Sequence, residues 1–229
     1  WYWRVRAKDA AGNWGEWSDE WKFKIVNPTG SIRVAITPAS AVNAGAKWKA
    51  TNSKHDTGWQ ESGAVVDVPA GDYTVTFNMP SGWNSPSGSG AKPADITNVS
   101  VPSNVSIPCT GTYQRIISAY WWDPTDVMEG TKATACAEVE GFNTGDQFEF
   151  RIRESDRLTR AEYGPFTGTV YGDGGKQYVK YEWKTVWEND IVAGFDKNPP
   201  EFEFTVSNGR VSRLSNDDLQ VYRKPAAAA

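Results

Sequence analysis

The chain has 229 residues and a single histidine, His55, which stands beside Asp56 in the stretch TNSKHDTGW. A hydrolytic triad would need a serine on a strained turn within reach of that imidazole, and no turn of that type occurs. Glu138 and Glu140 share one parity of a strand-like run. Two-carboxylate glycosidase chemistry needs such a pair in a cleft, about 5 to 9.5 Å apart across a sugar bond, whereas alternating acids on a strand read as its solvated face. Asp123 and Asp126 lie in one turn, and Glu188, Asp190 and Asp196 in the acidic stretch WENDIVAGFD. Such oxygens suit Ca²⁺, but neither spacing completes a ligand loop. Asn98 and Asn104 each head an Asn-Val-Ser sequon for glycosylation. Cys109 and Cys136 lack zinc-site spacing and are too few for a disulfide framework. If 116–122 pairs antiparallel with 131–139, Cys136 falls opposite about Ile117. That is eight residues, or about 26 Å, beyond Cys109, against the roughly 4.4 to 6.8 Å between Cα atoms that a bridge requires. Parity also separates them, Cys109 following Val105 and Ile107 inward and Cys136 sharing the outward face of Lys132, Thr134 and Glu138. Two unbridged thiols are expected, with no catalytic residue and no cofactor.

Composition narrows the partners. With 24 Lys and Arg against 28 Asp and Glu, a net charge of −4 and a pI near 5.2, the chain lacks the concentrated positive charge that nucleic-acid phosphates demand. No run approaches the roughly 18 apolar residues of a membrane-spanning helix. Twelve Trp, nine Tyr and nine Phe among 21 Gly and 13 Pro suit short strands and many turns. A glycan or protein partner could stack on an exposed indole, and Trp59, Trp83, Trp121 and Trp122 are the candidates, Trp83 being expected instead as a core plug. Position 1 is Trp rather than an initiator methionine and no signal peptide is visible, so the chain is expected to have been processed or truncated ahead of this point.

The elements that must carry these residues are strands. Trp1, Trp3, Val5 and Ala7 alternate with Tyr2, Arg4, Arg6 and Lys8. Beyond a turn of Asp9, Ala10, Ala11, Gly12 and Asn13, Trp21, Phe23 and Ile25 alternate with Lys22 and Lys24. This reads as a β-hairpin over Trp1 to Ile25 with one apolar face, a face that two strands cannot bury alone. Asn27, Pro28, Thr29 and Gly30 mark a boundary. From 29 to 113 come SIRVAI, AKWKAT, GAVVDV, DYTVTF, DITNVSV and NVSI, spaced as a small antiparallel sandwich, with a loop over 81–93. From 114 to 225 the alternations of Phe148, Phe150 and Ile152, and of Val179, Tyr181, Trp183, Thr185 and Trp187, belong to a module of about seven strands. Residues 226–229 are four alanines and are read as a tag or unassigned tail. The expected fold class is all-β, tandem antiparallel β-sandwich modules after a partial hairpin module over 1–28, joined at NPTG and TYQR with little contact between them.

The stretch from Tyr2 to Ser18, with its Arg-Val-Arg-Ala, Asp-x-x-Gly-Asn and Trp-x-x-Trp-Ser, resembles the last two strands of a fibronectin type III domain. Trp14, Gly15, Glu16, Trp17 and Ser18 are similar to the tryptophan-serine box of cytokine receptors. That resemblance implies a structural ladder in which Arg4 and Arg6 stack on Trp14 and Trp17. Gly45, Ala46, Trp48, Ser62, Gly63, the run Pro69 to Val75 with Phe77, Gly82, Trp83 and the closing Thr110 to Tyr113 resemble a PEGA-like repeat of bacterial cell-surface proteins. The last module resembles an immunoglobulin-like accessory module. Together these imply an extracellular or cell-surface setting and a non-catalytic structural or adhesive segment, part of a filament or larger assembly, that meets a protein partner or itself through the N-terminal hairpin. The alternative is a carbohydrate-binding accessory region of a secreted enzyme.

Overall fold

The computed structural model describes residues 1–24, 27–83, 90–122, 124–155, 161–187 and 199–225. Ile25, the middle of the 81–93 loop, and the tail 226–229 fall outside the described residues. In the hairpin, β1 (Tyr2–Trp3) and β2 (Trp21–Lys22) pair antiparallel with Tyr2 opposite Lys22 and Trp3 opposite Trp21. Towards the turn, the Ser18 N–H donates to the Val5 carbonyl and the Gly15 N–H to the Ala7 carbonyl, both at 2.8 Å. Asp9 closes the turn by accepting from the Asn13 N–H at 2.8 Å and from its side-chain amide at 3.1 Å. These donors hold the Asp9 carboxyl below its ordinary pKa.

The second unit comprises β3 (Thr29–Thr37), α1 (Ala39–Asn43), β4 (Trp48–Thr51), β5 (Val65–Pro69), β6 (Gly71–Phe77), β7 (Gly90–Ala91), β8 (Ile96–Val101) and β9 (Ser106–Thr112). Two three-stranded sheets, β5-β3-β9 and β4-β6-β8, enclose Ile32, Val34, Trp48, Tyr73, Val75, Phe77, Trp83 and Tyr113. Alternation works as expected: β6 turns Tyr73, Val75 and Phe77 inward and its other residues out. One pairing in this unit departs from the antiparallel rule. β3 and β9 run parallel, Ser31 opposite Ser106 through Thr37 opposite Thr112. A parallel neighbour needs a long crossover, and here the rest of the unit supplies it.

The third unit comprises β10 (Gln114–Trp122), β11 (Asp126–Met128), β12 (Lys132–Glu140), β13 (Gln147–Glu154), β14 (Glu162–Asp173), β15 (Lys176–Lys184), β16 (Glu201–Ser207), β17 (Ser212–Leu214) and β18 (Leu219–Tyr222). Its strands follow one another in the order β11-β18-β16-β13-β14-β15-β12-β10-β7, with β17 beside β16. The sheet curls into a sandwich because β14 serves both layers. Residues up to Thr169 pair with β13, and Val170 to Asp173 pair with β15. Gly168 permits the crossing, since a Cβ there would lie 2.7 Å from the Lys180 carbonyl oxygen and 2.9 Å from the Phe150 ring. Trp121, Trp183, Phe148, Phe150, Phe202 and Phe204 fill the space between the layers.

The expected loose joint at TYQR is corrected by the structure. Tyr113 alone separates β9 from β10, and its side chain is wholly buried in the second unit's core, where its hydroxyl donates to the Asn78 carbonyl at 2.7 Å. β7, borne on the long loop of the second unit, pairs with β10 of the third. Arg115 clasps Glu140 through Nε at 2.9 Å and Nη2 at 2.8 Å while its guanidinium lies 4.5 Å over Trp83. Ser40 of α1 donates to the same Glu140 at 2.7 Å. Arg210 reaches the Lys92 carbonyl at 3.0 Å and the Gln114 side chain at 2.9 Å. Gly141 (φ 82°) passes so close that a Cβ would stand 1.9 Å from the Tyr113 oxygen. The strands touch because a core residue of one unit immediately precedes the first strand of the next, leaving no chain for a linker.

Candidate interaction surfaces

His55 and Asp56 serve a local turn. The backbone N–H groups of Lys54 and His55 both donate to the Asn52 side chain, and the Asp56 carboxylate accepts from the Gly58 N–H at 2.8 Å, which with Lys49 lowers its pKa. The imidazole rests edge-on to Tyr73. Glu138 pairs with Lys176 at 3.0 Å and Glu140 with Arg115, so each carboxylate is held by a cation. Asp126 is exposed on β11, while Asp123, Glu188, Asp190 and Asp196 lie outside the described residues. Among the described residues no group of three or more His, Cys, Asp or Glu side chains could hold a metal ion. Asn98 and Asn104 are exposed and adopt positive φ, 57° and 59°.

Both cysteines are free thiols. Cys109 faces the second core, where burial raises its pKa. Cys136 stands opposite Tyr120, three residues from the expected Ile117, because β11 makes the connection from β10 to β12 lopsided. It lies on the outward parity yet is completely buried. Tyr120 and Lys180 flank it on the neighbouring strands. Burial raises its pKa and that of Tyr120.

On the hairpin's polar face, the Arg6 guanidinium lies 4.3 Å over Trp14 and 4.5 Å over Trp17, and Lys8 Nζ lies 5.2 Å from the Trp14 ring. Arg4 is not in the ladder; it turns to Glu20 at 3.4 Å. The other face is bare. Trp1, Trp3, Trp21 and Phe23 keep 78, 47, 61 and 49% of their surfaces in solvent, with Trp3 and Trp21 in ring contact at 5.8 Å. Neither core contains a hairpin residue among those described.

Of the four candidate contact tryptophans, two are removed. Trp83 plugs the second core edge-on to Tyr113. Trp121 is buried between the layers of the third unit with its indole N–H on the Phe202 carbonyl at 2.8 Å. In the doublet Trp121-Trp122 the strand's period of two sends one indole in and the other out. Trp59 and Trp122 remain exposed, at 48 and 44%. Lys49 lies 5.4 Å from the Trp59 ring. Around Trp122 the structure assembles residues that motif reading passed over. Lys180 Nζ stands 3.8 Å over the Trp122 ring, 5.3 Å from Tyr171 and 5.8 Å from Tyr178, and Tyr120 lies beside Trp122 at 6.1 Å with its ring 27° away from parallel. The Tyr171 hydroxyl raises the Lys180 pKa. The signal was in the parity: Tyr120 and Trp122 share the outer parity of β10, as Tyr178 and Lys180 do that of β15.

No family model matches the chain. No curated protein matches it either. Its structure is similar to that of the full-length major pilin SpaD from Corynebacterium diphtheriae, with a TM-score of 0.28 and 14% sequence identity over 84% of this chain and 65% of that one.

Proposed function

We propose that this chain is a non-catalytic structural or adhesive segment of an extracellular or cell-surface protein, built from a fibronectin-type hairpin, a PEGA-like sandwich and an immunoglobulin-like sandwich, and that it associates with a second copy through the hairpin's apolar face. The bare face of Trp1, Trp3, Val5, Trp21 and Phe23 carries this reading. Aromatic side chains bury about 150–250 Å² each, so four of them at these exposures present roughly 500 Å². Patches of that size mark interaction sites, and two such faces together cover about 1,000 Å², the lower bound of a specific interface. The Arg6 ladder on the opposite face keeps the arms together, so the apolar face is displayed as one surface.

Sedimentation of the chain tests this. The wild type should dimerise with a Kd on the order of micromolar, and Trp3→Ser with Phe23→Ser should be monomeric with unchanged sandwich melting. A wild type that stays monomeric as its concentration is raised to the millimolar range refutes the association. A second reading, a carbohydrate-binding accessory region, is supported by a separate observation, the exposed Trp122 among aromatic and charged neighbours on the outer face of the third unit.

A further inference from the structure

We infer that the outer face of the layer β10-β12-β15-β14 binds an acidic saccharide, the sugar's carboxylate meeting Lys180 and its ring lying against Trp122. The inference rests on the carbohydrate-binding reading and is independent of the hairpin. Charge bookkeeping on this face is the first support. Glu138 is taken by Lys176, Glu140 by Arg115 and Glu182 by Lys132. Among the described residues, none of the carboxylates forms an ion pair with Lys180, whose near neighbours are the rings of Trp122, Tyr171 and Tyr178. Lys180 is thus an ammonium held among ring faces, with Asp173 acting on it only at longer range, and Lys184 stands four residues further along the same face of β15.

The rings are the second support. Tyr and Trp combine an apolar face with a polar edge, which matches a pyranose: C–H groups on one side, hydroxyls around the rim. Tyr120 and Trp122 lie two residues apart on one strand with rings within 27° of parallel, a strip along which consecutive sugars of a polymer can lie. A nucleic acid or another dense polyanion fits poorly, because the chain carries a net −4 and the lysines of this face alternate with Glu138 and Glu182. One carboxylate per sugar suits it better. Both key side chains stand on the solvent side of well-paired strands, so the site is held rigidly by the sandwich rather than by a loop.

Affinity electrophoresis of the whole chain through gels containing polygalacturonate, alginate or hyaluronan tests the proposal, with fully methyl-esterified polygalacturonate as the uncharged control. At net −4 the chain is repelled by such polymers, so retardation is not a general charge effect. At least one polyuronate should retard the wild type, and Lys180→Gln and Trp122→Ala should each weaken retardation about tenfold, while Trp59→Ala leaves it unchanged. Lys180→Gln keeps the aliphatic stem and decides the matter should Trp122→Ala melt early. Absence of retardation by all three polymers overturns the site, as does retardation that survives both substitutions. Equal retardation by the methyl ester would leave the carbohydrate reading standing and remove the acidic specificity. Loss with Trp59→Ala alone would do likewise and move the contact to the other sandwich.

Discussion

Tyr113 stands one residue before β10 yet belongs to the core of the preceding unit, where Phe77 and Trp83 meet its ring edge-on at 6.3 and 5.7 Å. Burial raises its phenol from 10.0 to about 12. Because the folded pKa is the higher one, the folded state holds the proton that the unfolded state gives up. The resulting stabilisation is whole below pH 10 and is lost as pH climbs towards about 12. Tyr113→Phe should therefore flatten the decline of stability over that alkaline window. At pH 7 it should cost about 1 kcal/mol for the lost hydrogen bond to Asn78, read from urea unfolding followed by circular dichroism. An alkaline decline as steep in the variant as in the wild type would assign the effect to other groups. Trp121 and Trp122 show how far single residues were legible. Both were candidates for an exposed contact, and only the strand's orientation, decided by which indole finds Phe202 and Phe204, separates them.

Strands long enough to alternate were readable as elements. β13 and β15 declare themselves through Phe148, Phe150 and Ile152 and through Val179, Tyr181 and Trp183, since each has one wet face and one dry one. β7, β11 and β17 were not, because two or three residues have no period to display and are strands only by virtue of partners distant in sequence. The register of β10 against β12 lies three residues from the one a symmetric connection would give, for a related reason: β11 leaves that connection to pair with β18. β14 needed both a bend and a close approach, and nothing in the sequence tells Gly168, at the crossing, from Gly164 and Gly172 in the same strand. Gly168→Ala should destabilise the third unit by about 1 to 3 kcal/mol, the usual cost of overpacking, because the added methyl meets backbone at Lys180 and the Phe150 ring rather than a movable chain end. Gly172→Ala, whose methyl would find only the Lys176 carbonyl oxygen, 3.9 Å away, is the matched control. Equal unfolding midpoints for the two variants would contradict a crossing set by that contact.

At the scale of the whole molecule, the expectation of independent modules gives way to two sandwiches clasped at their junction. Arg115 is the centre of the clasp, holding Glu140 in its own unit while covering Trp83 in the other. The sequence could not reveal this, since a lone Arg after a tyrosine carries no pattern, and its partners lie 25 residues downstream and on a loop of a different unit. Calorimetry of the wild type should show both sandwiches melting in one transition. Arg115→Ala should split it, with a loss of about 2 kcal/mol from the charged hydrogen bonds. Two separate transitions in the wild type would speak against coupling. The parallel pairing of β3 with β9 has a consequence of another kind. The chain enters this pair at Thr29 and leaves it at Thr112, from opposite ends of two strands pointing the same way. A pull along the chain therefore tries to slide one strand past the other, loading the rungs of the ladder together instead of opening them one at a time. A segment strung between two anchored points would resist stretching most strongly here. In single-molecule pulling, this sandwich should give way abruptly and at higher force when tethered through 29 and 112 than when tethered across the β4–β6 pair, where antiparallel rungs unzip in turn.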